Sequence, residues 1–197
     1  ILLKSSSQWA SEAPQDVPKG ISPAWREACA PKDPKDLENF SAAVAKRYAG
    51  KIDSWEFLNE PTWTEYSLLG VGHLKKTGWL PGKYTPVDYA KLLAHTFKGV
   101  KSGNPRATVI GGLSCGPQFR DLIDPFVEAG GLSSLDIMNL HLYPGADSPE
   151  RYLPELDKIM ALMDKHGGRK PIWITEVGYY AQDEHPRTPF FPVEWNW

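Results

Sequence analysis

Two apolar rhythms alternate along the chain. Short apolar runs suited to buried strands occupy positions 1–4, 53–58, 108–112, 136–141 and 171–176. Between them, apolar residues fall three and four apart, as on one face of a helix. The helices share a start signal: an oxygen-bearing cap residue, then proline at the first helical position, where a missing N–H leaves no bond unmade. Asp33-Pro34 opens a helix with Leu37, Phe40, Val44 and Tyr48 on one stripe, closed by Gly50. Thr85-Pro86-Val87-Asp88 is close to a capping box, followed by a stripe of Leu92, Leu93, Phe97 and Val100 and a stop at Gly103. Ser148-Pro149-Glu150 starts another, with Leu153, Leu156, Ile159, Met160 and Met163 inward and Gly167 as its end. A weaker helix over about 118–129 is interrupted by Pro125.

Strand and helix in alternation predict an α/β fold with a parallel sheet and helical crossovers. The links from helix to strand are short. The links from strand to helix are longer, and one runs from Asn59 to Thr85, far beyond the usual length of about 2–6 residues. It carries Trp63, Tyr66 and Trp79. Long loops at the carboxyl ends of parallel strands mark the functional face of such folds.

Composition narrows the function. A length of 197 residues suits one large domain. Lys+Arg 22 against Asp+Glu 24 excludes a strongly basic nucleic-acid binder. No apolar run approaches the roughly 18 residues of a membrane span. Cys29 and Cys115 make neither a disulfide framework nor a zinc-ligand spacing, so they leave the compartment open. Eight tryptophans suggest a surface that handles flat, uncharged partners. The apolar opening Ile1-Leu2-Leu3 and the aromatic close Glu194-Trp195-Asn196-Trp197 are expected to be cut ends.

Two strand ends carry candidate chemistry. In Trp55-Glu56-Phe57-Leu58-Asn59-Glu60-Pro61, alternation would put Glu56, Leu58 and Glu60 on one face, with Pro61 stopping the strand. In Ile172-Trp173-Ile174-Thr175-Glu176-Val177-Gly178, it would put Ile172, Ile174 and Glu176 together. A carboxylate that finishes an apolar strand is unfavourable unless hydrogen-bonded or functional. Either glutamate alone could be a cap or an ion-pair partner; two with the same placement suggest a shared task. Paired carboxylates serve glycoside cleavage, one protonating the leaving oxygen and one attacking or stabilising the sugar cation. A carboxylate-bridged metal site would use the same pair. Strand 136–141 continues to Tyr143, and alternation puts Asn139, His141 and Tyr143 on one face. His141 and Tyr143 could hold an attacking carboxylate by hydrogen bonding. Trp9, Trp63 and Trp195 fall in loops of the expected functional face and could stack on sugar rings or cover the core rim.

These motifs resemble the clan A glycoside hydrolases, (β/α)8 TIM-barrel enzymes whose fourth strand ends in Asn-Glu-Pro. Trp55–Pro61 resembles that strand, and Ile172–Gly178 resembles the seventh. His141-Leu142-Tyr143-Pro144 is similar to the end of the sixth strand, and Gln8-Trp9-Ala10 to the end of the third. The phrasing Lys46-Arg47-Tyr48 before Trp55-Glu56 is nearest to the β-xylosidase and α-iduronidase family or to the cellulase and mannanase family. The resemblance implies an incomplete barrel, strands three to seven, in one catalytic domain over 1–197 truncated at both ends. A complete barrel needs about 250 residues, and five strands would leave two open edges.

The resemblance also implies a retaining glycosidase. Glu176 would be the nucleophile and Glu60 the general acid/base, with Asn59 on the sugar 2-hydroxyl and His141 and Tyr143 supporting Glu176. The expected substrate is a carbohydrate, with no metal, no organic cofactor, no nucleic acid and no membrane. A secreted or periplasmic location is favoured over a cytoplasmic one. Two rivals stand beside this reading: a carbohydrate-binding barrel that has lost catalysis, and a metal-dependent hydrolase with Glu60, His141 and Glu176 as ligands.

Overall fold

The structure is a computed structural model and describes residues 1–3, 7, 9–12, 29–61, 84–145 and 147–179. Among these, β1 (Leu2–Leu3), β2 (Ser54–Phe57), β3 (Thr108–Gly111), β4 (Ile137–Gly145) and β5 (Ile172–Tyr179) form one sheet. The strands lie in chain order and every neighbouring pair is parallel. The helices are α1 (Pro34–Arg47), α2 (Pro86–Gly103), α3 (Arg120–Glu128) and α4 (Leu153–Lys165). This is the βα alternation expected from the sequence. None of the described helices is long and apolar enough to cross a membrane.

The start signals act as read. The Asp33 side chain accepts from the Lys35 N–H ahead of Pro34. Thr85 and Asp88 close a reciprocal capping box, each side chain accepting from the other's backbone N–H. The segment at Ser148 differs in detail: Pro149–Tyr152 forms a 3-10 turn, and the α-helix starts only at Leu153. Pro125 lies inside α3 without ending it.

On β2 the odd-numbered positions, and on β4 the even-numbered ones, supply the core beneath the helices. Trp55 and Phe57 face the helices, their rings meeting those of Tyr48 and Tyr89. Met138 and Leu140 join the same core, with Leu93, Val109, Phe126, Ile159 and Met163. Buried apolar area of this kind contributes roughly 25 cal/mol per Å². The buried Tyr89 donates to Phe57 O at 3.1 Å and accepts from Gly112 N at 3.4 Å, tying α2 to the carboxyl ends of β2 and β3.

The inner face of α1 matches the apolar stripe only in part: Leu37 and Val44 pack against the core, but the other two members do not bury. Phe40 is 55% exposed and Tyr48 39%, while Glu38, Ser41 and Ala45 are buried. The cause is the close crossing with α2. A Cβ on Gly99 would sit 2.2 Å from Glu38 O, and one on Gly103 would sit 2.2 Å from Ala42 O. Backbones this close leave room only for small side chains such as Ser41 and Ala45 between them, while the Glu38 carboxylate turns to Lys35 and His95. Leu153, expected inward, is likewise exposed.

The sheet is strongly curled. β2 and β5 are separated by two strands, which in a flat sheet means about 14 Å at three spacings of about 4.8 Å. Yet Thr175 Oγ1 on β5 lies 3.3 Å from Glu56 Oε1 on β2. The concave face therefore brings non-adjacent strands into side-chain contact, as in the wall of a barrel.

Candidate active site

The carboxyl ends of β2 to β5 supply the site. β2 stops at Phe57, one residue short of the expected strand. Leu58 and Glu60 then adopt φ of +56° and +41°, in the left-handed region. Glu60 thus reaches the concave face through a turn, and the strand alternation expected for it does not operate. After β3, Leu113 and Ser114 are also left-handed, at +80° and +44°. Such residues cost of order 1–3 kcal/mol each and gather at functional sites.

Glu176 arrives by a different device. The β4–β5 register pairs Leu140 with Ile174 but His141 with Glu176, so Thr175 is an extra residue in β5. This bulge lets two consecutive side chains work on one side of the sheet: Thr175 reaches Glu56, and Glu176 accepts from the Tyr143 hydroxyl. The simple alternation of Ile172, Ile174 and Glu176 therefore fails at Thr175. Bulges commonly re-aim a side chain beside an active site. A second register shift lies between Leu142 and Gly145. There the Tyr143 ring lies over Gly178, where a Cβ would come within 2.5 Å of its Cε1.

The side chains converge. His141 Nδ1 lies 2.9 Å from Glu60 Oε1 and 3.7 Å from Glu176 Oε2. One atom each from Glu60, His141 and Glu176 lies within 4.8 Å of the other two. His141 was expected to support Glu176; its nearer partner is Glu60. The His141 ring is buried, Glu60 is half-buried and Glu176 is more open. The His141 backbone N–H donates to Cys115 O at 3.2 Å, which fixes β4 against the loop after β3. Burial pushes the Cys115 thiol up to about 12, so it offers no competing thiolate near neutral pH.

A polar layer lies beneath these groups. Asn139 Nδ2 donates to Glu56 Oε1 and, at 3.0 Å, to Ser114 Oγ. Ser114 Oγ in turn donates to Leu58 O at 3.2 Å. Sequence reasoning grouped Glu56 with Glu60 and Asn139 with His141, but gave no role to Ser114 or Thr175. A small hydroxyl residue carries no periodic signal that would have found them.

The remaining candidates are less tightly gathered. Asn59 is half-buried in the turn between Leu58 and Glu60. Trp9 follows β1 and is 71% exposed, its carbonyl accepting from Lys32. Trp63 and Trp195 lie outside the described residues.

The fold is shared with glycoside hydrolases. The chain superposes on a family 39 glycoside hydrolase from the gut symbiont Bacteroides cellulosilyticus WH2 with a TM-score of 0.52 and 22% identity, over 76% of this chain and 31% of that one. A monomeric β-xylosidase from Caulobacter crescentus CB15 gives 0.53 and 16%, over 75% and 31%. A glucosidase from Croceicoccus marinus gives 0.52 and 18%, over 75% and 31%. The chain spans about a third of the length of each of these structures. At such identities the likeness establishes the fold: an α/β arrangement matching part of a TIM barrel. No protein-family model matches the chain. No curated protein matches it either.

Proposed function

We propose that this chain carries the centre of a retaining glycoside hydrolase that cleaves O-glycosidic bonds by double displacement. The observation that carries the reading is the carboxylate spacing. Oxygens of Glu60 and Glu176 approach within 4.8 Å across the concave face. Retaining enzymes hold their carboxyl groups about 5–5.5 Å apart, whereas inverting ones need about 6.5–9.5 Å to admit a water.

In the first step Glu176 attacks the anomeric carbon, the bond to the leaving oxygen breaks, and Glu60 gives that oxygen its proton. In the second, Glu60 takes a proton from water, the water oxygen attacks the anomeric carbon, and the glycosyl ester to Glu176 breaks. Tyr143 donates to the attacking carboxylate and so orients it. His141, in contact with both acids, fixes Glu60 relative to Glu176. Asn59 is assigned to the sugar 2-hydroxyl, and Trp9, Trp63 and Trp195 to stacking on sugar rings. The family reading, nearest to β-xylosidases and α-iduronidases or to cellulases and mannanases, belongs to the same proposal. So does a secreted or periplasmic location.

The test is hydrolysis of aryl glycosides. Glu176→Gln is expected to abolish turnover. Added azide is expected to rescue Glu60→Ala, yielding a glycosyl azide of retained configuration, and to rescue Glu176→Gln far less. Full activity in both variants would end the proposal. Sugar binding without hydrolysis in the same preparation would favour a non-catalytic carbohydrate-binding barrel.

A metal-dependent hydrolase has one observation of its own: Glu60, His141 and Glu176 could share a divalent ion. Two carboxylates with one histidine is a donor set that such ions accept. A rate unchanged by chelator rejects that reading, and a rate restored only by added metal rejects the double displacement.

A further inference from the structure

Glu56 lies one layer below the two proposed catalytic carboxylates and takes no part in the chemistry assigned to them. Its Oε1 receives Asn139 Nδ2 from β4 and Thr175 Oγ1 from β5. One carboxylate oxygen on β2 therefore binds two other strands at once. Neither bond is local in sequence: 83 positions separate Glu56 from Asn139 and 119 separate it from Thr175. Thr175 is the bulged residue immediately before Glu176, and Glu56 lies on the strand whose end carries Glu60.

We infer that Glu56 is a positioning residue, a cross-sheet strut that sets the approach of Glu60 and Glu176. The reasoning is geometric. Glu60 hangs from a turn with two left-handed residues and Glu176 from a bulge, so neither carboxylate is held by regular strand pairing alone. The hydrogen bond from Glu56 to Thr175 bridges the same two strands directly beneath them. Without it, β2 and β5 lose this side-chain tie across the concave face. A misplacement of about 1 Å can lower an enzymatic rate roughly a hundredfold. Asn139 transmits the same restraint to β4 and, through Ser114 and Leu58 O, back to the turn that carries Glu60.

The kinetic part of this inference rests on the glycosidase reading; the geometric part does not, and the experiment separates them. In one arm, nitroxide labels are placed on Glu60→Cys/Glu176→Cys, and their dipolar broadening is recorded with Glu56 intact and with Glu56→Ala. Broadening with Glu56 intact that weakens, with a wider spread of label separations, in Glu56→Ala is the expected result. In the other arm, aryl-glycoside kinetics are measured with native Glu60 and Glu176. Glu56→Ala is expected to lower kcat roughly tenfold to hundredfold with KM within about threefold of the starting chain. Glu56→Gln, which keeps an acceptor oxygen in place, is expected to recover most of that loss. Thr175→Val removes one donor at nearly constant shape and is expected to fall between them; it decides the matter if Glu56→Ala does not fold.

Labels that broaden equally with and without Glu56, or with Thr175→Val in its place, overturn the strut. So does a pair that fails to broaden with Glu56 present. A chain that hydrolyses no glycoside but whose broadening weakens in Glu56→Ala overturns the glycosidase reading and leaves the strut standing.

Discussion

Tyr143 and Gly178 act as one unit. The ring needs the space that a side chain at Gly178 would fill, and its hydroxyl donates to Glu176. A hydrogen bond to a charged group contributes about 1.5–3 kcal/mol, equivalent to roughly ten- to a hundredfold in rate when it acts on the attacking group. Tyr143→Phe is expected to lower kcat on an aryl glycoside by that factor, and Gly178→Ala by a similar one, because its Cβ would push the ring aside. Equal turnover in Tyr143→Phe and the unaltered chain would remove Tyr143 from the proposed mechanism. At this scale the sequence singled out Glu60 and Glu176 by a route that the backbone does not follow. Glu60 and Glu176 were legible as carboxylates finishing apolar runs. Their arrival was not, because a left-handed Leu58 and an extra Thr175 leave no trace in a hydrophobic pattern. The tie of His141 to Glu60 was hidden too, since it depends on how far the sheet bends.

Among the elements, α1 and α2 show how a helix face can mislead. Phe40 and Tyr48 have the spacing of a core stripe, yet the buried side holds Glu38, Ser41 and Ala45 because Gly99 and Gly103 draw the backbones together. Glycine in a helix reads as a weakness in sequence, and here it is the contact. The helix starts at Asp33 and Thr85, by contrast, were legible, since cap and proline act within one turn, whereas the α-helix after Ser148 begins only at Leu153. Buried at that crossing, Glu38 is held down to about 2 from an ordinary 4.5, chiefly by the Lys35 ammonium bonded to it and further by His95 and Lys98. Its folded-state value is depressed, so its stabilisation is present above pH 4.5 and is lost as pH falls towards 2. Glu38→Gln is therefore expected to melt below the unaltered chain at neutral pH, with the gap in Tm closing between pH 4.5 and 2. A gap independent of pH would mean that shape, not charge, is what Glu38 supplies.

For the molecule as a whole, strand order and parallel pairing followed from the βα alternation, whereas the curl of the sheet did not. Curl emerges from twist summed over several strands and from contacts such as Glu56 with Thr175, which no local window contains. The described sheet ends at β1 and β5, where Ile1, Leu2, Trp173, Ile174 and Val177 are exposed. Apolar edge strands template association. Val177, 65% exposed, is the natural place for a charge. Val177→Lys is expected to reduce concentration-dependent light scattering of this chain without changing its circular dichroism. Scattering that does not respond would place the sticky surface elsewhere.

That same outer strand carries Glu176, while Glu60 is anchored between β1 and β3. The least protected part of a protein opens first and most often. A brief fraying of β5 would carry off the proposed nucleophile and leave the proposed proton donor where it stands. Loss of turnover on warming would then precede loss of the fold, and whatever clasps that margin would govern how long the chemistry survives.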